Sequence, residues 1–196
     1  MMRKASSTDR KLIVYILSDS FDANSSVNYV VKQDSHRSDR IRGLMEYSFD
    51  ICRKYRDVWT SEDKSACALI LLPDKKQFSF ASTWWYIKLA TTVIGISRIN
   101  QVLNRESMIT TFHSKSPFAY LWFIGIKESN QNKGVCSSLP SDIIRAYDME
   151  RRPIYLETSV DRNLPWYLKH RFEIFETIEL GYPLTFLRRP FEKSVQ

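Results

Sequence analysis

Between residues 38 and 56, apolar side chains recur at Ile41, Leu44, Met45, Phe49 and Cys52. That spacing of three to four predicts an amphipathic helix. Residues 11–17 concentrate Ile, Val and Tyr and predict a strand. The polar residues 1–9 before it predict a frayed end, and residues 19–28 a polar loop or helix start. Residues 58–59 and 66–72 flank the polar stretch 61–64, which predicts a hairpin closed by Pro73-Asp74. Residues 78–95 and 97–112 predict two helices with a break near Gly95. The first carries Trp84, Trp85 and Tyr86, which either pack in a core or cover a substrate pocket.

The C-terminal half is easier to parse. Residues 118–126 form a continuous apolar run, the pattern of a fully buried strand. Residues 134–150 place Val135, Leu139, Ile143, Ile144 and Tyr147 on a helical stripe. Residues 154–158 predict a second buried strand and 163–170 a short helix. Residues 172–180 and 182–187 predict two strands hinged at Gly181, the last free to pair across a two-fold axis if it forms a sheet edge. Strands and helices alternate, so the class is α/β.

The chain has 196 residues, which fits one domain. With 43% hydrophobic and 26% charged residues, the composition is globular and not disordered. No run approaches the about 18 apolar residues that a membrane span needs. The short apolar stretch 12–17 is followed by Asp19 and Asp22, unlike a secretory leader, so the expected setting is cytoplasmic with no membrane partner. Cys52, Cys67 and Cys136 have neither disulfide-framework nor zinc spacing and are expected as reduced thiols. His36, His113 and His170 form no ligand pair, and no metal site is expected. The net charge of +7 is spread along the chain. A clustered basic stripe would point to nucleic acid. A diffuse field suits an anionic small ligand, so nucleic acid is not expected as a partner.

The chemistry concentrates between the strand at 118–126 and the helix at 135–150. The loop there includes Gln131, Asn132, Lys133, Gly134, Val135 and Cys136. Such a loop leaves unpaired amide N–H groups at a helix start, where the helix dipole adds partial positive charge. That arrangement suits a pyrophosphate. Lys133 adds a charge, Ser137 and Ser138 add hydroxyls, and Gly134 permits close approach of a phosphate.

Three segments in order resemble the GNAT superfamily of N-acetyltransferases. Gln131-x-x-Gly134-x-Cys136 follows the strand Tyr120-Leu-Trp-Phe-Ile-Gly-Ile126. Ile154-Tyr-Leu-Glu-Thr-Ser159 resembles the family's next strand. Asn163-Leu-Pro165-Trp-Tyr167-Leu-Lys-His-Arg171-Phe172 resembles its next helix. The resemblance implies a single GNAT-like domain over residues 1–196. Residues 11–112 would form the acceptor side and 118–190 the acetyl-coenzyme A core. The expected sheet is mixed, mostly antiparallel and six- to seven-stranded, with helices on both faces.

The implied activity is transfer of an acetyl group from acetyl-coenzyme A to an amine, by direct attack in a ternary complex. The residues 131–136 would hold the pyrophosphate through backbone N–H groups. The strand edge, with Phe123, Ile124, Gly125 and Ile126, would pair with the pantetheine arm, and Asn163 would bond that arm from the other side. Tyr167 would be the general acid, since a phenol's ordinary pKa lies close to that of an alkyl thiol. Glu157, a carboxylate in an otherwise apolar strand, is the first candidate for the base, and His113 the second. The acceptor would be a small-molecule or peptide amine and the protein a monomer or homodimer. Its pocket is expected from residues 21–29, the helix 38–56 and residues 84–86. Cys136, Pro140 and Arg171 depart from the family pattern. They motivate an alternative, a GNAT-fold module that binds or senses coenzyme A without turnover.

Overall fold

The computed structural model describes residues 2–76, 80–127 and 138–192. The strands are β1 (Met2–Lys4), β2 (Arg56–Ser61), β3 (Ala66–Leu71), β4 (Ala119–Ile126), β5 (Ile154–Thr158), β6 (Glu173–Glu179) and β7 (Pro183–Arg189). The helices are α1 (Arg10–Ser20), α2 (Ser25–Val30), α3 (Arg37–Tyr55), α4 (Phe80–Lys88), α5 (Ile99–Thr111), α6 (Ser138–Met149) and α7 (Leu164–Lys169). One seven-stranded sheet runs in the order β1-β2-β3-β4-β5-β7-β6. Every neighbouring pair is antiparallel except β4 and β5, which are parallel. The mixed, mostly antiparallel α/β sheet expected from the sequence is therefore present.

Helices cover both faces. On one face α1, α3 and the segment from α4 to α5 bury Ile13, Leu17, Phe49, Leu69 and Phe123 in one cluster. On the other, α6 and α7 bury Ile143, Tyr147 and Tyr167 against Leu121, Leu156 and Leu187. A third cluster joins Ile109 of α5 to Tyr182, Leu184 and Phe186 of the C-terminal hairpin. Each large side chain so buried contributes about 1.5–3 kcal/mol of transfer free energy. None of the described helices is long and apolar enough to cross a membrane.

Four expectations need correction. Residues 11–17 are helical and belong to α1. Ile13, Val14, Ile16 and Leu17 are buried while Tyr15 is 65% exposed, a helical stripe that a short β-branched run conceals. The helix lies so close to β4 that a Cβ at Gly125 would sit 2.8 Å from Leu17 Cδ2. Residues 2–9 are not frayed: β1 pairs with β2, and Arg3 grips the buried Asp9 carboxylate at 2.8 and 2.9 Å. β4 is not fully buried but alternates between buried and half-buried positions. Finally β7 is no edge: it lies between β5 and β6, so the expected pairing of residues 182–187 across a two-fold axis has no free strand to use.

The other elements match. The break after α4 falls at Gly95, whose φ of 81° ends a wide helical turn over Leu89–Ile94. Pro140 lies in the first turn of α6, where a missing N–H costs no helical bond.

Candidate active site

β4 and β5 begin as neighbours and then part. Their register holds only at Ala119↔Ile154 and Tyr120↔Tyr155. Between β3 and β4 the register slips at Leu69/Ile70, so Trp122 bulges out of the ladder. A bulge bends its strand and re-aims the side chains beside it. Past Tyr120, the main chain of β4 facing β5 therefore meets no strand among the described residues. Lys127 N–H donates to Ser65 O at 2.8 Å, which sets the alternation of this ladder. By that alternation Ile124 turns its N–H and C=O away from β3, toward the gap.

A cavity of about 510 Å³ occupies the gap and continues beneath α4 and α5. Of the residues singled out in the sequence, His113, Phe123, Ile124, Glu157, Asn163 and Tyr167 all line it. Gly125 packs under α1 instead, against Leu17, Ser20 and Ile16. Ile126 accepts a hydrogen bond at its carbonyl from Ser20 Oγ at 3.1 Å. Gln131, Asn132, Lys133, Gly134, Val135, Cys136 and Ser137 lie outside the described residues. The acceptor segments expected from the sequence do meet here, through Phe21, Asn24, Val27, Leu44, Tyr47 and Tyr86.

Glu157 is the polar centre. Its side chain is 7% exposed. Oε1 accepts from His113 Nε2 at 2.6 Å, and Oε2 accepts from the Tyr120 hydroxyl at 2.5 Å. Each carboxylate oxygen retains a second lone pair for another donor. His113 is wedged between rings, with centroids 5.2 Å from Phe118 and 5.0 Å from Tyr120. Burial, and then the Glu157 charge, pushes the Tyr120 hydroxyl well above the ordinary phenol value, so it stays a donor. The two candidate bases are thus one hydrogen-bonded unit. Tyr120 was not singled out in the sequence. Its signal was a hydroxyl-bearing ring within an otherwise apolar run.

Tyr167 approaches from the opposite face. It is buried, with Trp166 and Phe172 edge-on at 5.1 and 5.6 Å. Burial pushes its hydroxyl above the usual phenol value, so the proton is present at neutral pH. The match to a thiol assumed in the sequence reading is looser than an unperturbed phenol would give. The turn after α7 fixes this helix. Phe172 N–H donates to Tyr167 O at 3.1 Å and Arg171 N–H to Leu168 O at 3.0 Å. This double bond pattern needs a left-handed residue between, usually glycine. Arg171 adopts it, with φ 62°.

A second polar group sits deeper in the cavity. Arg105 is buried, and its Nε donates to Tyr182 Oη at 3.0 Å. Its terminal nitrogens bond Glu106 and Ser26. Tyr47 is pushed up to about 12, first by burial and then by the nearby Tyr86 and Glu106.

No protein-family model matches the sequence. Solved structures do. One is described as histone acetyltransferase HPA2 and related acetyltransferase from Corynebacterium glutamicum. It superimposes with a TM-score of 0.76 at 20% identity, over 100% of this chain and 98% of that one. The C-terminal condensation domain of Ebony, in complex with beta-alanyl-dopamine, gives 0.68 at 6% identity, over 97% and 98%. A putative acetyltransferase of the GNAT family from Desulfovibrio desulfuricans gives 0.57 at 10% identity, over 98% and 99%. At such identities the likeness concerns the fold, and the fold is that of the GNAT acetyltransferases.

Proposed function

We propose that this GNAT-fold protein is an N-acetyltransferase that moves an acetyl group from acetyl-coenzyme A to a primary amine. One observation carries the reading. Glu157 belongs to the sheet face covered by α5, Tyr167 to the face covered by α7, yet both line one cavity through the gap where β4 and β5 part.

The residues fit such a donor. The open β4 edge at Ile124 offers one N–H and one C=O to a peptide-like arm, in the manner of an added strand. Asn163 lines the other side of the gap with its side chain uncommitted as a helix cap. Acetyl-coenzyme A, as second substrate, supplies a thioester: the amine nitrogen bonds the carbonyl carbon and the C–S bond breaks.

The chain's own groups then handle protons. An alkylammonium must lose a proton before its nitrogen can attack. Glu157 accepts it, held in place by His113 and Tyr120. Tyr167 gives a proton to the departing sulfur from the opposite side, and the second proton that the nitrogen loses as the amide forms restores the phenol. No covalent link to the protein forms, so no nucleophilic side chain is required. The thioester's acetyl group ends on nitrogen and the sulfur leaves as a thiol.

The test is free-thiol release from acetyl-coenzyme A in the presence of primary amines, compared between the wild type and Glu157→Gln. Amine-dependent release that Glu157→Gln abolishes supports the proposal. Coenzyme A binding by calorimetry, with no release across the amine panel, supports a binding module instead.

A further inference from the structure

We infer that the acceptor is a primary amine with an uncharged aromatic or alkyl body, selected by the rings of Tyr47 and Trp122. The inference rests on the acyltransferase reading above and concerns the part of the same cavity that lies beneath α4 and α5.

The walls there are rings and aliphatic side chains. Tyr47 stands edge-on to Trp122 at 6.3 Å and 86°, and Trp122 stacks along Tyr120 at 6.3 Å and 28°. Phe21 closes one side, edge-on to Phe123 at 5.1 Å. The roof is apolar too: Leu89 and Ile94 from the wide turn, Ile99 and Val102 from α5. A flat or flexible apolar body gains by leaving water for such walls.

The buried charged groups in the described lining are already hydrogen-bonded. Glu157 is held by His113 and Tyr120. Arg105 is held by Glu106, Ser26 and Tyr182. The remaining charged lining residue, Lys76, is exposed to solvent. A second charge on the acceptor, once past the exposed Lys76, would therefore enter a low-dielectric space where the described buried charges are already bonded. Burying a charge without one is strongly unfavourable. A free amino acid brings a carboxylate beside the amine, and the buried cation of the described lining, Arg105, already bonds Glu106, Ser26 and Tyr182. Among the described lining residues a polyamine finds only the carboxylates of Glu106 and Glu157, both already bonded. A lysine-bearing peptide offers these walls only its four-carbon stem, so it gains less from them than an aromatic or longer alkyl body. The amine itself is different: it arrives at Glu157, where its proton is removed.

The experiment compares matched amines with the full-length protein and acetyl-coenzyme A. The probes are 2-phenylethylamine, n-hexylamine, phenylalanine, spermidine and a lysine-containing peptide, read by thiol release. The expected kcat/KM for 2-phenylethylamine exceeds that for phenylalanine by on the order of 100-fold, since only a carboxylate distinguishes them. Tyr47→Ala should raise KM for 2-phenylethylamine about 10-fold, more than it lowers kcat. Tyr47→Phe, which keeps the ring and spares the fold, should restore the wild-type KM. Equal or better turnover of phenylalanine, spermidine or the peptide overturns the inference and leaves acyl transfer intact. Bound acetyl-coenzyme A with no thiol release from any amine overturns both.

Discussion

His113 Nε2 and Glu157 Oε1 lie 2.6 Å apart, although the residues are 44 positions apart in the chain. One follows α5 and the other points from β5 into the cavity that α5 helps to roof. The pair makes Glu157 a fixed acceptor, with its second oxygen held by Tyr120. Replacing the carboxylate should therefore be far more harmful than replacing its support. Glu157→Gln is expected to lower kcat by about 10²- to 10⁴-fold, the range of general-base catalysis. His113→Asn should lower it by on the order of 10- to 100-fold through misplacement of the carboxylate. It should also change the pH profile of kcat, which a purely structural loss would leave unaltered. Steady-state kinetics across pH distinguishes the two.

Tyr167→Phe removes one hydroxyl from a ring that is otherwise packed by Trp166 and Phe172. The fold and the gap should survive it. The expected result is a fall in kcat of at least about 10²-fold, with the dissociation constant for coenzyme A unchanged by calorimetry. Equal losses in binding and turnover would assign Tyr167 to packing.

Arg171 holds a left-handed conformation that costs a non-glycine residue about 1–2 kcal/mol. Glycine has no such penalty but loses about 0.5–1 kcal/mol more backbone entropy on folding. Its exposed ion pair with Glu192 adds little. Arg171→Gly should therefore raise stability by up to about 1 kcal/mol in denaturant titration. The turn that positions Tyr167 should be preserved.

The Asp9 carboxylate is held well below the usual range, first by Arg3 and then by the Ser6 backbone N–H. A depressed folded-state pKa contributes stability that is fully present above the unfolded value, near 3.9, and is lost as pH falls through the folded value. The stability that Asp9 contributes should therefore begin to fall below about pH 4 and go on falling toward the folded-state value. Asp9→Asn should reduce stability at neutral pH and flatten that acid limb. Thermal unfolding from pH 7 down to pH 2 checks both.

Cys52 and Cys67 are buried in the core, and burial pushes the Cys67 thiol up to about 12 and Cys52 higher still. Neither carries appreciable thiolate at neutral pH. Peptide mapping after treatment with a thiol reagent should find both unmodified in the native protein and modified after unfolding.

The C-terminal half was legible because each element there carries its own signal. The apolar strand, the Asn163–Tyr167 segment and the lone Glu157 in an apolar strand each supply lining to the one cavity. The N-terminal half was harder. Residues 11–17 are rich in β-branched side chains, yet helix packing on Gly125 overrides that local preference. The alternation along β4 was hidden because its cavity-facing residues, Tyr120, Trp122 and Ile124, are themselves bulky and largely apolar. Tyr120 escaped notice for the same reason. The meeting of His113 with Glu157 is a product of the fold, since no spacing in the chain encodes it. The expectation that residues 182–187 end the sheet failed because the last strand inserts between two others.

The account stands on the open edge of β4 beyond Tyr120. Hydrogen exchange at the Ile124 amide, with and without coenzyme A, reads that edge residue by residue. The predicted result is strong protection on binding, as the amide acquires an acceptor in the gap. Unchanged exchange at Ile124, with coenzyme A bound by calorimetry in the same sample, would contradict the account.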